Sequence, residues 1–148
     1  MKTYGGFLIS QIGRISSRTL ERLIKKYGID AFNGAQGRIL YVLWANEKHE
    51  KHEKLTITDI ARFTSMANTT LTSVLDRMEA EGLVRREHDK VNRRQIFVST
   101  TEKANEYRKK YDQLSDDMNA IFYKGFSETE IMDFENQLRR ILKNMEEN

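Results

Sequence analysis

The chain of 148 residues contains no cysteine and no proline. Without cysteine, disulfides, thiolate metal sites and thiol redox switches are excluded. Without proline or a low-complexity linker, the chain is expected to be mostly helical. No apolar run is long enough to span a membrane, and the first ten residues lack the apolar stretch and cleavage site of a signal peptide. We therefore expect a single cytoplasmic subunit with no membrane partner.

Charge is distributed unevenly, although the net charge is only +3. Residues 1–27 carry six Lys or Arg side chains and one acidic side chain, whereas residues 127–148 carry three basic and six acidic side chains. This complementarity is typical of terminal segments that pack together, within one chain or between two chains. The mildly basic total permits a nucleic-acid partner without requiring one.

Apolar residues recur at helical spacing along most of the chain. The spacing predicts helices over about 7–26, 34–45, 57–63, 68–81, 101–122 and 127–145. Thr56 and Asp59 have the spacing of a capping box at the start of the third helix, and Gly82 is suited to end the fourth. Ser127 and Glu130 have the same capping spacing at the start of the last helix.

Two short β-type segments, 83–87 and 95–100, flank a polar tip of seven residues, which predicts a hairpin. The hairpin follows two short helices joined by a turn. This order is typical of a winged helix-turn-helix, a device that enters DNA grooves. We therefore predict a mainly α fold with a small β-hairpin wing, and with N- and C-terminal helices that form a dimer.

The helix predicted over 68–81 has the chemistry of a recognition helix. Its apolar residues at i, i+3, i+4 and i+7 form one buried face. Its other faces carry short polar side chains near the N-terminus, which let a helix come close to the major groove. Five of these residues are candidates for DNA contact, namely Asn68, Thr69, Thr70, Thr72 and Ser73. Arg77, one turn further on, is expected to contact phosphate rather than a base.

In these features the chain resembles the MarR family of winged helix-turn-helix transcriptional regulators over nearly its whole length. Residues 68–84 resemble the family's recognition helix and its Gly-Leu-Val exit, and residues 89–94 resemble its Asp-x-x-Asp-Arg-Arg wing. Asn92 replaces the second Asp of that pattern, and Ala104 stands where the family commonly has Gly. The resemblance implies a homodimeric repressor that binds a pseudo-palindromic operator in double-stranded DNA.

The wing carries two adjacent arginines, Arg93 and Arg94, at its tip. A guanidinium at a hairpin tip can reach a minor groove and its negative potential, so we expect one of the two to contact DNA. The resemblance implies that the other pairs with Asp89 and holds the shape of the tip. The sequence does not indicate which arginine has which role.

Aromatic residues are concentrated in or next to the first, second and fifth predicted helices. They are Tyr4, Phe7, Phe32, Tyr41, Trp44, Tyr107 and Tyr111. Such residues are most often part of a core, but the resemblance implies a crevice there that binds a small aromatic, commonly phenolic, effector. Binding of that effector would release the DNA.

No catalytic constellation, phosphate-binding loop or cofactor motif is present, so we predict a protein that is not an enzyme and needs no cofactor. His49 and His52 lie in a charged segment, and their spacing is not that of a zinc-protease helix. We interpret the segment as a solvated loop and predict no metal site.

Two hypotheses about the function remain open. The leading one assigns residues 34–100 to a DNA-binding lobe, and 1–33 with 101–148 to a helical dimerisation lobe. The alternative is a protein-interaction subunit that uses the winged-helix scaffold without DNA. A protein-binding version should expose apolar residues on the outer face of 68–77, whereas this sequence places hydroxyl and guanidinium groups there.

Overall fold

The computed structural model describes residues 1–48 and 53–148. The elements within these ranges are α1 (Gly5–Lys26), α2 (Gly34–Glu47), β1 (Leu55–Thr56), α3 (Ile57–Thr64), α4 (Asn68–Ala80), β2 (Val84–His88), β3 (Ile96–Thr100), α5 (Glu102–Asn105), α6 (Arg108–Phe122) and α7 (Glu128–Glu146). The mainly helical fold with a β-hairpin wing is therefore confirmed. The chain divides into two compact units, Met1–Leu114 and Ser115–Asn148.

The sheet of the first unit has three strands in the order β1-β3-β2, all antiparallel. The sequence predicted β2 and β3 but not β1. In β1, Leu55 pairs with Val98 and Thr56 pairs with Phe97. This two-residue strand was missed because Thr56 is also the N-cap of α3, and the capping signal dominates so short a segment.

Local capping chemistry sets most helix boundaries as predicted. The capping boxes of Thr56 with Asp59 and of Ser127 with Glu130 are both formed. Gly82 follows α4 with a φ of 77°, a left-handed conformation that costs glycine little. These contacts satisfy amide groups that a helix end would otherwise leave without a partner.

The single helix predicted over 101–122 is wrong, because the structure breaks it into α5 and α6. The Tyr107 amide donates to Ala104 O, three residues back, which tightens the turn and ends the α-helical pattern. Asn105 accepts a hydrogen bond from Trp44 Nε1 at 2.8 Å, and the Tyr107 ring packs on Phe32. These tertiary contacts outweigh the helical propensity of the segment.

The core of the first unit joins α1, α2 and the helix-turn-helix. Its fully buried side chains include Ile39, Leu40, Ile60, Leu71, Leu75, Met78 and Leu83. In the second unit, Phe122, Tyr123, Phe126 and Phe134 pack against one another, and the Tyr123 hydroxyl donates to Glu135 at 2.9 Å. No residue of α7 is buried in the described single chain.

Across 1–48 and 53–148, no helix is both long and apolar enough to cross a membrane. The functional division into lobes 34–100 and 1–33 plus 101–148 stays a prediction.

Candidate nucleic-acid interface

The α4 helix is held in place by one apolar face. Leu71, Leu75 and Met78 are completely buried, while the five polar residues near its start, Asn68, Thr69, Thr70, Thr72 and Ser73, are all exposed. Ala67 occupies the N-cap position, and no side-chain hydrogen bond caps the helix there in the described structure. The first-turn amides are therefore left to bind a phosphate or water.

The hydroxyls on α4 differ in what they can offer to a ligand. Thr72 Oγ1 donates to Asn68 O at 2.8 Å, so in this rotamer its hydrogen is already used and its lone pairs can only accept. Thr70 is exposed, and its hydroxyl has no hydrogen bond within the described part of the chain. Thr70 can therefore both donate and accept.

The end of α4 is fixed by contacts with the start of α5. Thr101 donates its hydroxyl to Gly82 O at 2.6 Å and also accepts from the Ala104 amide at 3.2 Å. Lys103 Nζ donates to Glu81 O at 2.7 Å. Arg77 lies beside Glu81 at 3.5 Å, but its side chain is largely exposed, so this ion pair is weak and can open for a phosphate.

The tip of the wing is shaped by short side-chain-to-backbone hydrogen bonds. Asp89 Oδ1 accepts from the Val91 amide at 2.9 Å, and Asn92 Oδ1 accepts from the Arg94 amide at 3.3 Å. Asn92 O also accepts from the Gln95 amide at 2.9 Å. Asp89 therefore acts on the backbone of the tip, and Asn92 forms an equivalent turn in place of the expected aspartate.

Both tip arginines are exposed. The ion pair expected between Asp89 and one of them is not formed, and neither Arg93 nor Arg94 has a carboxylate partner within residues 1–48 and 53–148. The Arg93 carbonyl instead lies 3.1 Å from His88 Nδ1, which must donate to it. Two exposed guanidinium groups at one hairpin tip favour an anionic partner.

Sequence reasoning missed a charged cluster between α4 and β2. Arg86 Nη2 lies 2.6 Å from Asp76 Oδ1, Arg86 Nε lies 3.3 Å from Glu79 Oε2, and the Arg86 amide donates to Glu79 Oε2 at 2.9 Å. The hydrogen bonds with Glu79 raise the pKa of Arg86, and those with Arg86 lower the pKa of Glu79. Periodicity could not reveal this cluster because its members lie on a helix and a strand.

Five of the seven aromatic residues form a packed cluster, namely Phe32, Tyr41, Trp44, Tyr107 and Tyr111. Tyr111 is tilted against Phe32, Tyr41 and Trp44 with ring centroids 5.8–6.3 Å apart. Burial raises the pKa of Tyr111 to about 12. Tyr4 and Phe7 are exposed on α1. Phe32 also borders a cavity of about 540 Å³ whose rim includes Lys25, Gln36, Arg77 and Glu81.

His49 and His52, the two residues considered as possible metal ligands, lie outside the described residues. Among the residues that are described, no three His, Cys, Asp or Glu side chains come together as metal ligands would.

Part of the chain, from α2 through most of the wing, matches the model of a known protein family. Residues 32–96 match the family model of the MarR family. A search among curated proteins found no significant match.

Three solved structures share the fold at low sequence identity. S. aureus MepR in its DNA-binding conformation has a TM-score of 0.82 and 21% identity, and covers 97% of this chain and 99% of its own. A mutant of E. coli MarR complexed with operator DNA has a TM-score of 0.76 and 20% identity, with 96% and 99% covered. CouR from Rhodococcus jostii RHA1 bound to p-coumaroyl-CoA has a TM-score of 0.75 and 20% identity, with 92% and 90% covered.

The family match includes the second helix, the helix-turn-helix and most of the wing, and the shared fold extends over nearly the whole chain. Residues 32–96 are thus similar to the MarR family, and the chain shares its fold with these solved structures over nearly its whole length.

Proposed function

We propose that the protein is a homodimeric, sequence-specific repressor that binds a pseudo-palindromic operator and is released by a small aromatic ligand. The observation that carries DNA binding is the exposure of two kinds of groups. Short hydroxyl and amide side chains cover the outer face of α4, and the exposed guanidinium groups of Arg93 and Arg94 stand at the wing tip. MepR and MarR, two proteins of the same fold, have been crystallised in complex with DNA, and this supports the assignment.

In this proposal α4 reads bases in the major groove. Asn68, Thr69, Thr70, Thr72 and Ser73 are short enough to let the helix backbone approach the base edges. The uncapped N-terminus of α4 and Arg77 bind phosphates, which fix the register of the helix without reading sequence. The wing places Arg93 or Arg94 in the neighbouring minor groove, while Asp89 maintains the turn that presents them.

The proposed dimer uses exposed apolar surface in each unit. On α1 that surface consists of Phe7, Leu8, Ile12 and Ile15, and on α7 it includes Ile141, Leu142 and Met145. Contiguous apolar side chains at helical spacing on an exposed face mark an interaction surface. We infer that a second copy of the chain covers this surface. Two-fold symmetry would then place two recognition helices about 34 Å apart, which is the length of one turn of DNA.

Sedimentation velocity at micromolar concentration tests the dimer. We expect a dimer for the wild type and a shift toward monomer for Ile12→Glu, whereas Lys2→Glu, a charge change at an exposed terminal position, should leave the dimer intact. A wild-type monomer whose sedimentation does not depend on concentration would contradict this part of the proposal.

The proposed ligand acts near α4. The cavity bordered by Phe32 is also lined by Arg77 of the recognition helix and by Glu81, the C-cap of that helix. A ligand bound there would therefore compete with the phosphate contact of Arg77. By linkage, a ligand that releases DNA must bind more weakly when the operator is bound. CouR, a structural relative, binds p-coumaroyl-CoA, which contains a phenolic ring.

Titration of free and DNA-bound protein with p-coumaroyl-CoA and simple phenolic acids tests this step, with chelator and peroxide as controls. We expect an aromatic compound to release the DNA. Release by chelator alone would instead implicate a metal held by His49 and His52.

Selection of bound fragments from genomic DNA tests the central proposal. The expected result is one enriched motif with two inverted half-sites and footprints in adjacent major grooves. Transcription in vitro from a promoter containing that motif should fall when the protein is added. Absence of any enriched motif would overturn sequence-specific binding, and increased transcription would replace repression by activation.

A further inference from the structure

The cluster of Arg86, Asp76 and Glu79 is built differently from the other ion pairs of the described chain. The Arg86 side chain is only 20% exposed, although it belongs to a wing strand whose neighbours Arg85 and Glu87 are exposed. Its guanidinium is spread over two carboxylates that lie three residues apart, on one face of α4. An enclosed arginine with two carboxylate partners fixes geometry more firmly than an exposed single pair does.

The cluster lies at the point where the sheet loses its third strand. Arg86 pairs with Val98, which also pairs with Leu55 of β1, and the following pair, Glu87 with Phe97, is the last that β1 supports. Beyond it, the hairpin continues toward the tip as two strands. A two-stranded hairpin is marginally stable by itself, so the orientation of the tip depends on how its base is held.

A second contact at the base is weaker. Lys54 pairs with Glu87 and lies 5.9 Å from the centre of the Phe97 ring, but the Lys54 and Glu87 side chains are 60% and 59% exposed. Exposed pairs of this kind contribute little rigidity. Among the ion pairs of the described residues, those of Arg86 are the ones that join the wing to the recognition helix.

We propose that Arg86 is a positioning residue that holds the wing against α4, so that the wing is already oriented when the recognition helix enters the major groove. The inference deepens the proposed function and depends on it for its role in DNA binding. Without Arg86, the wing would have to become ordered during binding. The entropic cost of that ordering would cancel much of the binding free energy that Arg93 or Arg94 contributes in the minor groove.

Hydrogen exchange without DNA tests the clamp itself. In Arg86→Gln, amide exchange over residues 84–98 should increase at least about tenfold, while exchange in α2 stays unchanged. Arg85→Gln makes the same charge change on the exposed neighbour and should not increase exchange. The double variant Asp76→Asn with Glu79→Gln should reproduce the increase from the helix side, although it changes the charge in the opposite direction.

Binding to the selected duplex tests the role in recognition. In the wild-type background, substituting the arginine that contacts the minor groove by alanine should weaken binding about tenfold. In the Arg86→Gln background, the same substitution should weaken binding by less than about twofold, because the wing no longer contributes. Minor-groove protection at the flanks should fall, whereas protection in the major groove should persist.

Two outcomes would overturn the inference. One is unchanged exchange over 84–98 in Arg86→Gln. The other is an undiminished effect of the tip-arginine substitution in that background, which would assign Arg86 to stability alone. If the wild type binds no duplex while Arg86→Gln still increases exchange, the proposed function fails and Arg86 remains a clamp without a role in DNA binding.

Discussion

Tyr111 lies directly over Gly37, and a Cβ atom added at Gly37 would stand 2.8 Å from Tyr111 Cε2 and 3.3 Å from Phe32 Cε2. Cβ atoms essentially never stand 2.8 Å from another heavy atom, so the Tyr111 ring would have to shift. The absence of a side chain on α2 at this position is therefore what lets the aromatic cluster of α6 and Phe32 approach the helix.

We expect Gly37→Ala to destabilise the protein by about 1–3 kcal/mol, because the buried rings of Tyr111 and Phe32 must shift. Gly13→Ala is the matched control in α1, where nothing lies within 4 Å of an added Cβ. That substitution should stabilise the protein by up to about 1 kcal/mol through helix propensity. Chemical denaturation of both variants measures the difference, and equal effects would contradict the packing argument.

Tyr111 should also make stability depend on alkaline pH. Burial raises its pKa to about 12, above the ordinary value of 10.0, so the folded state favours the neutral phenol. The stabilisation is fully present below pH 10 and is lost as the pH rises toward 12. Tyr111→Phe should therefore lose less stability between pH 9 and pH 11.5 than the wild type does. Parallel pH profiles would show that the pKa of Tyr111 is the same in the folded and the unfolded state, which would contradict the effect of burial.

Thr70 and Thr72 should contribute differently to base recognition. Thr70 can donate and accept, whereas the Thr72 hydroxyl already donates to Asn68 O. We expect Thr70→Ala to cost about 1–3 kcal/mol on the selected site and much less on a random duplex. Thr72→Ala should cost less than Thr70→Ala on the selected site. Equal losses of Thr70→Ala on both duplexes would reassign Thr70 to phosphate contact.

Arg77, the tip arginines and the helix N-termini should together make binding depend on salt concentration. Each phosphate neutralised contributes about −0.9 to the slope of log affinity against log salt concentration. Arg93→Ala and Arg94→Ala should each weaken binding, and the variant that loses the minor-groove contact should also lose preference for A·T-rich flanks. Wild-type affinity and slope in both variants would mean that the wing does not touch DNA.

Local signals made most of the fold predictable from the sequence. The capping boxes at Thr56 and Ser127 and the left-handed Gly82 depend on residues three or fewer positions from a helix end, so sequence patterns reveal them. The break between α5 and α6 depends on Trp44, 61 residues away from Asn105. The same limitation hid β1, whose partner Val98 is distant in sequence.

The candidate site was predictable to the extent that chemistry follows residue type. The polar face of α4 could be identified from Ser, Thr and Asn at helical spacing, and the tip from adjacent arginines. The partners of those residues could not, because ion pairs depend on how the wing meets the helix. Asp89 thus bonds to the backbone rather than to an arginine, and Arg86 has a role that no sequence motif indicated.

Trp44 is the single tryptophan of the chain, is 2% exposed, and lies 5.8 Å from the Tyr111 ring. The indole therefore serves as an intrinsic fluorophore at the junction of α2 with the break between α5 and α6. Its emission should be that of an apolar environment and should shift to longer wavelength when water reaches the junction. Ligand binding or local opening near this junction can therefore be followed by fluorescence in the unlabelled protein.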